Sequence, residues 1–401
     1  VGGGGVVFAV HHSPAEPEIV AAPPAAVLTT TPQPAPATTP SAVTSTTPPV
    51  RASATGPGVQ SADIFVAPGG SDDGDGSAAR PYATLGKAVS RVRPGQTIAL
   101  RGGTYRPASG TAVTTSGTAG RRIVLSAYRG ERPVIDAAAL PADEWAITQD
   151  ASYWTIQGLE IKNAPSHAYV CRGCRDTVFQ RLNLHDNARS GLQLRDPGTS
   201  GNRVLDSDFT ANRGGPGAGT GLSIQFGAGD GNLVRGNRFR GNGAAGLDLG
   251  AFASPVTIEH NWAYGNGGSG FVLGGGDPAA TAPHTLRHNA AWDNGSHGFA
   301  DEGNTAALDL TSNTAFRNRG TGFHLPGAAA TVRSAVAVDN DRAFELSPGA
   351  AQSRNSWQRE TAPFRSTDPA EADGPRPASG GLPRTAFLTT GDGTGASMNG
   401  S

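Results

Sequence analysis

The chain has 401 residues, 57 of them glycine, with 6% aromatic residues and a formal net charge of −1 at pH 7. That length is ample for one large core. The balanced charge gives a nucleic-acid partner no electrostatic support, and two cysteines, Cys171 and Cys174, do not make a disulfide scaffold.

The chain begins with the apolar stretch VGGGGVVFAV. Residues 1–12 read as the remnant of a signal peptide or membrane anchor, too short to span a bilayer as they stand. Residues 13–60 are almost entirely Pro, Ala, Thr, Ser and Val, a composition that cannot bury a core and predicts a disordered, extended linker. Together they predict export: a secreted or extracellular protein, tethered to the cell surface if the apolar segment is retained, and expected to be a monomer.

A strand is predicted at DIFV, from Asp63 onward, followed by an acidic loop with Asp72, Asp73 and Asp75. These aspartates read as a solvated turn, because no Glu follows at a calcium-loop position. Leu85, Val89 and Val92 then fall at helical spacing, a short helix that would cap the open end of a solenoid.

From residue 150 onward the chain repeats itself. A Gly followed by Leu or Phe recurs at Gly191, Gly221, Gly246, Gly270, Gly298 and Gly322, with separations of 30, 25, 24, 28 and 24. Asn187, Asn242, Asn266, Asn294 and Asn318 each stand four residues before such a Gly, while in the 221 unit the insert RGGPGAG displaces Asn212. Between these markers lie short alternating stretches such as YWTIQGLEI, NLVRGNRF and HTLRHNAAW, the pattern of half-buried strands. Stacked supersecondary units explain such a period. The predicted fold is all-β, a right-handed parallel β-helix over residues 61–364 with a short N-terminal capping helix, followed by a tail over 365–401. Rungs would be about 4.8 Å apart, with the Asn side chains bonding along a column. The last residues, GDGTGASMNGS, are expected to be disordered.

Alternation places Leu192, Leu222, Leu247, Phe271, Phe299 and Phe323 inward and Gln193, Ser223, Asp248, Val272, Ala300 and His324 outward. A second outward row runs through Arg195, Gln225, Gly250, Gly274, Glu302 and Pro326. A third, just before each Gly, holds Ser190, Thr220, Ala245, Ser269, His297 and Thr321. His297, His324 and Glu302 are the candidate catalytic groups, since imidazoles titrate near neutral pH. Arg195, Gln193, Gln225 and Asp301 are candidates for binding substrate, Arg195 through the planar fork that suits a carboxylate. An inverting hydrolase would instead pair Asp248 with Glu302, two rungs or about 10 Å apart. His260, His284 and His288 read as corner residues. Cys171 and Cys174 read as a local disulfide or a buried thiol pair, oxidised if the protein is exported.

The opening segment DIFVAPGGSDDGDGS…PYATLGKAV resembles right-handed β-helix polysaccharide lyases. The segment VTIEHNWAYGNGGSGFVLGGG…HTLRHNAAWDNGSHGF, with GPRPASGGLPRTAFL later, is similar to polysaccharide lyase family 9, the pectate lyases. The likeness covers roughly residues 61–390. It implies an acidic polysaccharide as partner and β-elimination by a Lys base beside a calcium ion held by aspartates. By motif, those calcium positions fall on Thr220, Ala244, Ala245 and Asp248, and the Lys position on Val272. Only Asp248 matches, so calcium would rest on that one carboxylate. A shifted register, relocated chemistry and loss of catalysis with retained binding all remain open at this point.

Overall fold

The computed structural model describes residues 58–214, 219–277 and 279–398. The expected segments 1–12 and most of 13–60 lie outside the described residues. Val59 already bridges Tyr128, before the expected start at residue 61.

Each turn of the chain contributes three short strands, and each strand pairs in parallel with its counterpart one turn on. Three sheets result. The first has 12 strands and runs from Ile64–Val66 to Ala351–Ser353. The second has 10 strands, from Thr111–Val113 to Arg342–Leu346, and the third has 10, from Gly103–Tyr105 to Val336–Val338. This is the parallel β-helix expected from the repeat. The helix Leu85–Arg91 buries Leu85, Ala88 and Val89, and Thr84 caps it by accepting from Lys87 N. Asp72 ties the acidic loop to that helix start: its Oδ1 accepts from Ala83 N and Thr84 N, both at 3.0 Å, and its Oδ2 accepts from Thr84 Oγ1 at 2.7 Å.

The six inward residues of the repeat are all fully buried. Phe271, Phe299 and Phe323 stack with centroids 4.9 and 5.0 Å apart, so each rung fills the space above the last. The repeated Gly is required by close approach of the rungs. A Cβ on Gly221 would lie 2.6 Å from Gly246 O, and one on Gly298 would lie 2.6 Å from Gly322 O.

The asparagine column is continuous. Asn187, Asn212, Asn242, Asn266, Asn294 and Asn318 each donate Nδ2–H to the Oδ1 of the next, ending on Asn340, at 2.8–2.9 Å. Asn212 is therefore not displaced: it stands in the column between Asn187 and Asn242, and the column keeps its register. Just before each Asn the backbone turns left-handed, as at Asp186 (φ 55°) and Asp293 (φ 53°), which bends the strand and aims the amide into the column. A parallel column joins Asn237, Asn261, Asn289 and Asn313 at 2.9–3.0 Å. His260 and His288 stack beside it, centroids 5.0 Å apart. His284 is buried, and its Nδ1 accepts from Val256 N at 3.1 Å. All three act as corner residues.

The tail corrects its expectation. Residues 391–398 are ordered against the solenoid: Gly395 N donates to Ser334 O at 2.8 Å and Ala396 N to Thr314 Oγ1 at 2.8 Å, with Ala396 and Met398 buried. Residues 399–401 lie outside the described residues. Upstream, the tail runs back over the outer face of the third sheet. Phe387 is buried against Trp292 and Phe316, Asp373 Oδ1 accepts from the Tyr264 hydroxyl at 2.8 Å, and Arg376 pairs with Asp208 at 3.0 Å. An exposed aromatic row on that sheet needs a cover, and the tail supplies it. Its Gly-rich composition hid this, because burial there comes from a few scattered apolar residues.

Candidate active site

The second sheet presents one long outer face. Its central row, read from strand register, is Val170, Gln193, Ser223, Asp248, Val272, Ala300, His324 and Glu345. The expected outward row is thus correct in order, and Glu345 extends it by one rung. Beside it run Arg172, Arg195 and Gln225 in register.

Two polar clusters lie on this face. Toward the N-terminal end, Gln193 Nε2 donates to Gln225 Oε1 at 3.4 Å, and Gln225 Nε2 donates to Asp248 Oδ2 at 2.7 Å. Asp248 Oδ1 accepts from Gly250 N at 2.8 Å. Burial pushes the Asp248 carboxyl up, with a smaller push from the charge of Glu302 against the two hydrogen bonds that lower it. Arg195 Nε donates to Asp196 Oδ1 at 3.0 Å, and its guanidinium lies 5.2 Å from the Phe226 ring centroid.

Toward the C-terminal end, the His297 and His324 rings are stacked with centroids 4.2 Å apart and planes 7° apart. Thr321 N–H donates to His297 Nδ1 at 3.0 Å. That bond fixes the tautomer of neutral His297: Nδ1 is the acceptor, so Nε2 carries the hydrogen. Burial, then the neighbouring His324, hold its pKa below the usual imidazole value. Glu345 Oε2 lies 3.4 Å from His324 Nδ1, off the line of a hydrogen bond, and 3.6 Å from Arg342 Nη1. A carboxylate there favours hydrogen on His324 Nδ1 and leaves Nε2 with its lone pair. Glu302 is exposed in a left-handed turn (φ 44°), on the rung of Ala300 and near enough to act on His297 by charge.

Two expected binding residues are placed differently. Asp301 is buried; its Oδ2 accepts from Gly327 N and Ala328 N at 2.8 and 2.9 Å and its Oδ1 from Gly303 N at 3.2 Å. It braces a turn and offers nothing to a ligand. Gln193 is likewise buried and serves Gln225 from beneath. An Asp side chain competes well for backbone amides in turns, and that local use outweighs its position beside the groove. The hydrolase pairing weakens for a related reason: both oxygens of Asp248 are already engaged. Glu345 lies outside the repeat's Gly pattern because its rung reads Arg-Ala-Phe-Glu-Leu, with Ala343 where the six preceding rungs have Gly. His167 was also missed. Its Nδ1 accepts from Ser190 N at 3.3 Å, the arrangement His297 repeats, and burial lowers its pKa to about 4. Cys171 and Cys174 are joined in a buried disulfide.

The residues do not fit a calcium site. Calcium takes six to eight oxygen ligands. Asp248 stands in register between Ser223 and Val272, and Thr220, Ala244 and Ala245 bring no carboxylate. Among the described residues no group of three His, Cys, Asp or Glu side chains is arranged to hold a metal. The chain's two lysines, Lys87 and Lys162, lie in the capping helix and on the third sheet, neither of them on this face.

A stacked three-sheet parallel solenoid with polar clusters on the outer face of one sheet places the chain in the class of parallel β-helix proteins. The family model for the Pel9A-like right-handed β-helix region matches residues 64–342, and the chain belongs to that family. It is 35% identical over 389 residues to Pectate lyase PEL9 of Emericella nidulans, covering 84% of this chain and 94% of that protein. It is 29% identical over 373 residues to Pectate lyase L of Dickeya chrysanthemi, covering 82% and 84%. The crystal structure of pectate lyase Pel9A superposes with a TM-score of 0.71 at 25% identity, over 82% of this chain and 90% of that one. A rhamnogalacturonan lyase shares the fold, with a TM-score of 0.73 at 21% identity over 83% and 99%.

Proposed function

We propose that this chain is an exported polysaccharide lyase directed at a uronate-containing polymer, with its elimination chemistry relocated from the family's lysine and calcium to the His297–His324–Glu345 cluster. Membership of a family whose curated relatives are pectate lyases supports the reaction class. The observation that carries the relocation is the stacked imidazole pair, in which one ring is fixed as a donor and the other has a carboxylate at Nδ1.

In this reading His324 Nε2 takes the proton from C5 of a uronate. The electron pair forms the C4–C5 double bond, the C4–O bond breaks, and the leaving oxygen collects a proton from water. Charge building on the uronate carboxylate meets the Nε2–H of His297. Glu345 steadies the imidazolium of His324 as it forms. Arg195 and Gln225, several rungs toward the N-terminus, hold acidic sugars further along the polymer.

A second reading has one specific observation in its favour: Val272, Ala244 and Ala245 stand at the family's catalytic positions, which suits a protein that binds the polymer without cleaving it. Ultraviolet absorbance of unsaturated ends, followed on polygalacturonate, pectin and rhamnogalacturonan, separates the two. Absorbance that rises with wild type and not with His324→Gln supports elimination at the new cluster. Retention on these polymers with flat absorbance supports the binding reading.

A further inference from the structure

We infer that Phe226 and Arg195 form a sugar-binding subsite, with the exposed ring as a platform for the apolar face of a pyranose and the guanidinium as the partner of its carboxylate. The inference rests on the uronate reading above and adds to it a position that the repeat pattern did not mark.

Phe226 is anomalous on three counts. It is 53% exposed, and Phe344 is the other exposed large apolar side chain among the described residues. Phe344 has an aromatic partner, Trp357, 4.8 Å away, whereas Phe226 has the guanidinium of Arg195 over its ring at 5.2 Å. Its backbone is left-handed (φ 55°), a conformation disfavoured for a side chain with a Cβ. Asp196 and Ala251, which hold the same turn on the flanking rungs, are small or polar. The fold accounts for the turn, which recurs on both flanking rungs, but not for a half-exposed Phe where those rungs carry Asp and Ala. The corner is nevertheless held firmly: a Cβ on Gly227 would lie 2.4 Å from Asp196 O.

The surroundings match an acidic sugar. Arg195 covers one side of the ring, and its hydrogen bond uses Nε, leaving Nη1 and Nη2 without a protein hydrogen bond among the described residues. Gln225, next to Phe226, donates to Asp248. An aromatic face beside oriented polar groups is the usual composition of a ligand site. Phe226 lies four rungs from His324, roughly 19 Å along the groove, so the subsite would grip the polymer several sugars from the cleaved bond.

The test uses the whole chain and compares polygalacturonate with its carboxyl-reduced form by affinity electrophoresis, alongside thermal unfolding. Phe226→Gly is expected to weaken binding of polygalacturonate about tenfold without lowering Tm, since glycine accepts this backbone. Phe226→Trp should retain binding. Arg195→Gln should erase the preference for the acidic polymer over the reduced one. Wild-type affinity in Phe226→Gly, or a marked fall in its Tm, would overturn the subsite and leave the uronate reading standing. A wild-type chain that binds neither polymer would overturn both.

Discussion

His297 and His324 lie face to face on adjacent rungs, 4.2 Å between ring centroids. Two imidazolium ions cannot share that spacing at little cost, and burial together with His324 holds the His297 pKa below its ordinary value. The pair thus favours one neutral donor beside one base. The backbone enforces the division of labour, because Thr321 N–H occupies His297 Nδ1.

This predicts separable effects of mutation. His324→Gln should lower kcat for elimination by a factor of about 100 or more, the usual scale of general-base catalysis, with polymer affinity little changed. His297→Asn keeps an acceptor for Thr321 N–H and loses the outward donor, so it should lower kcat about tenfold or more. Steady-state kinetics on the best uronate polymer checks both. Equal losses of affinity and rate in the two variants would point to a disrupted groove instead.

Acid should weaken the fold through His284. Burial lowers its pKa to about 4 from 6.5, so between those values the unfolded chain binds a proton that the folded one refuses. Stability is complete above about pH 6.5 and falls as pH drops toward 4, by at most about 3 kcal/mol for this group. His284→Asn, which keeps an acceptor for Val256 N–H, should flatten that slope in urea unfolding measured across the range.

The tail over the third sheet should matter for stability and not for the groove. Phe387 is fully buried between Trp292 and Phe316. Phe387→Ala should cost about 3–5 kcal/mol, seen as a lower urea midpoint, with affinity for polygalacturonate unchanged. Lost affinity at full folding would show that the tail reaches the binding face.

The sequence carried the fold because the solenoid repeats its own constraints. The Gly of each unit meets the next backbone and its Asn joins a column, so both recur visibly. The column even survived the insert after Asn212, which sequence spacing alone had obscured. The site was less legible for two reasons. Rung position tells which residues face outward but not which are used from within: Asp301 and Gln193 are spent on backbone amides and on Gln225. Residues that break the repeat are also invisible to it. Glu345 follows an Ala-Phe rung, and Phe226 sits in a turn between motifs.

The central claim is elimination without calcium, and it is tested most directly by following unsaturated product from the uronate polymers in the presence of calcium and then of excess chelator. Absorbance is predicted to rise on at least one polymer at the same rate in both conditions. A rate that collapses with chelator and returns with calcium would contradict the claim, and would mean that Asp248 and its neighbours assemble a metal site with the polymer bound.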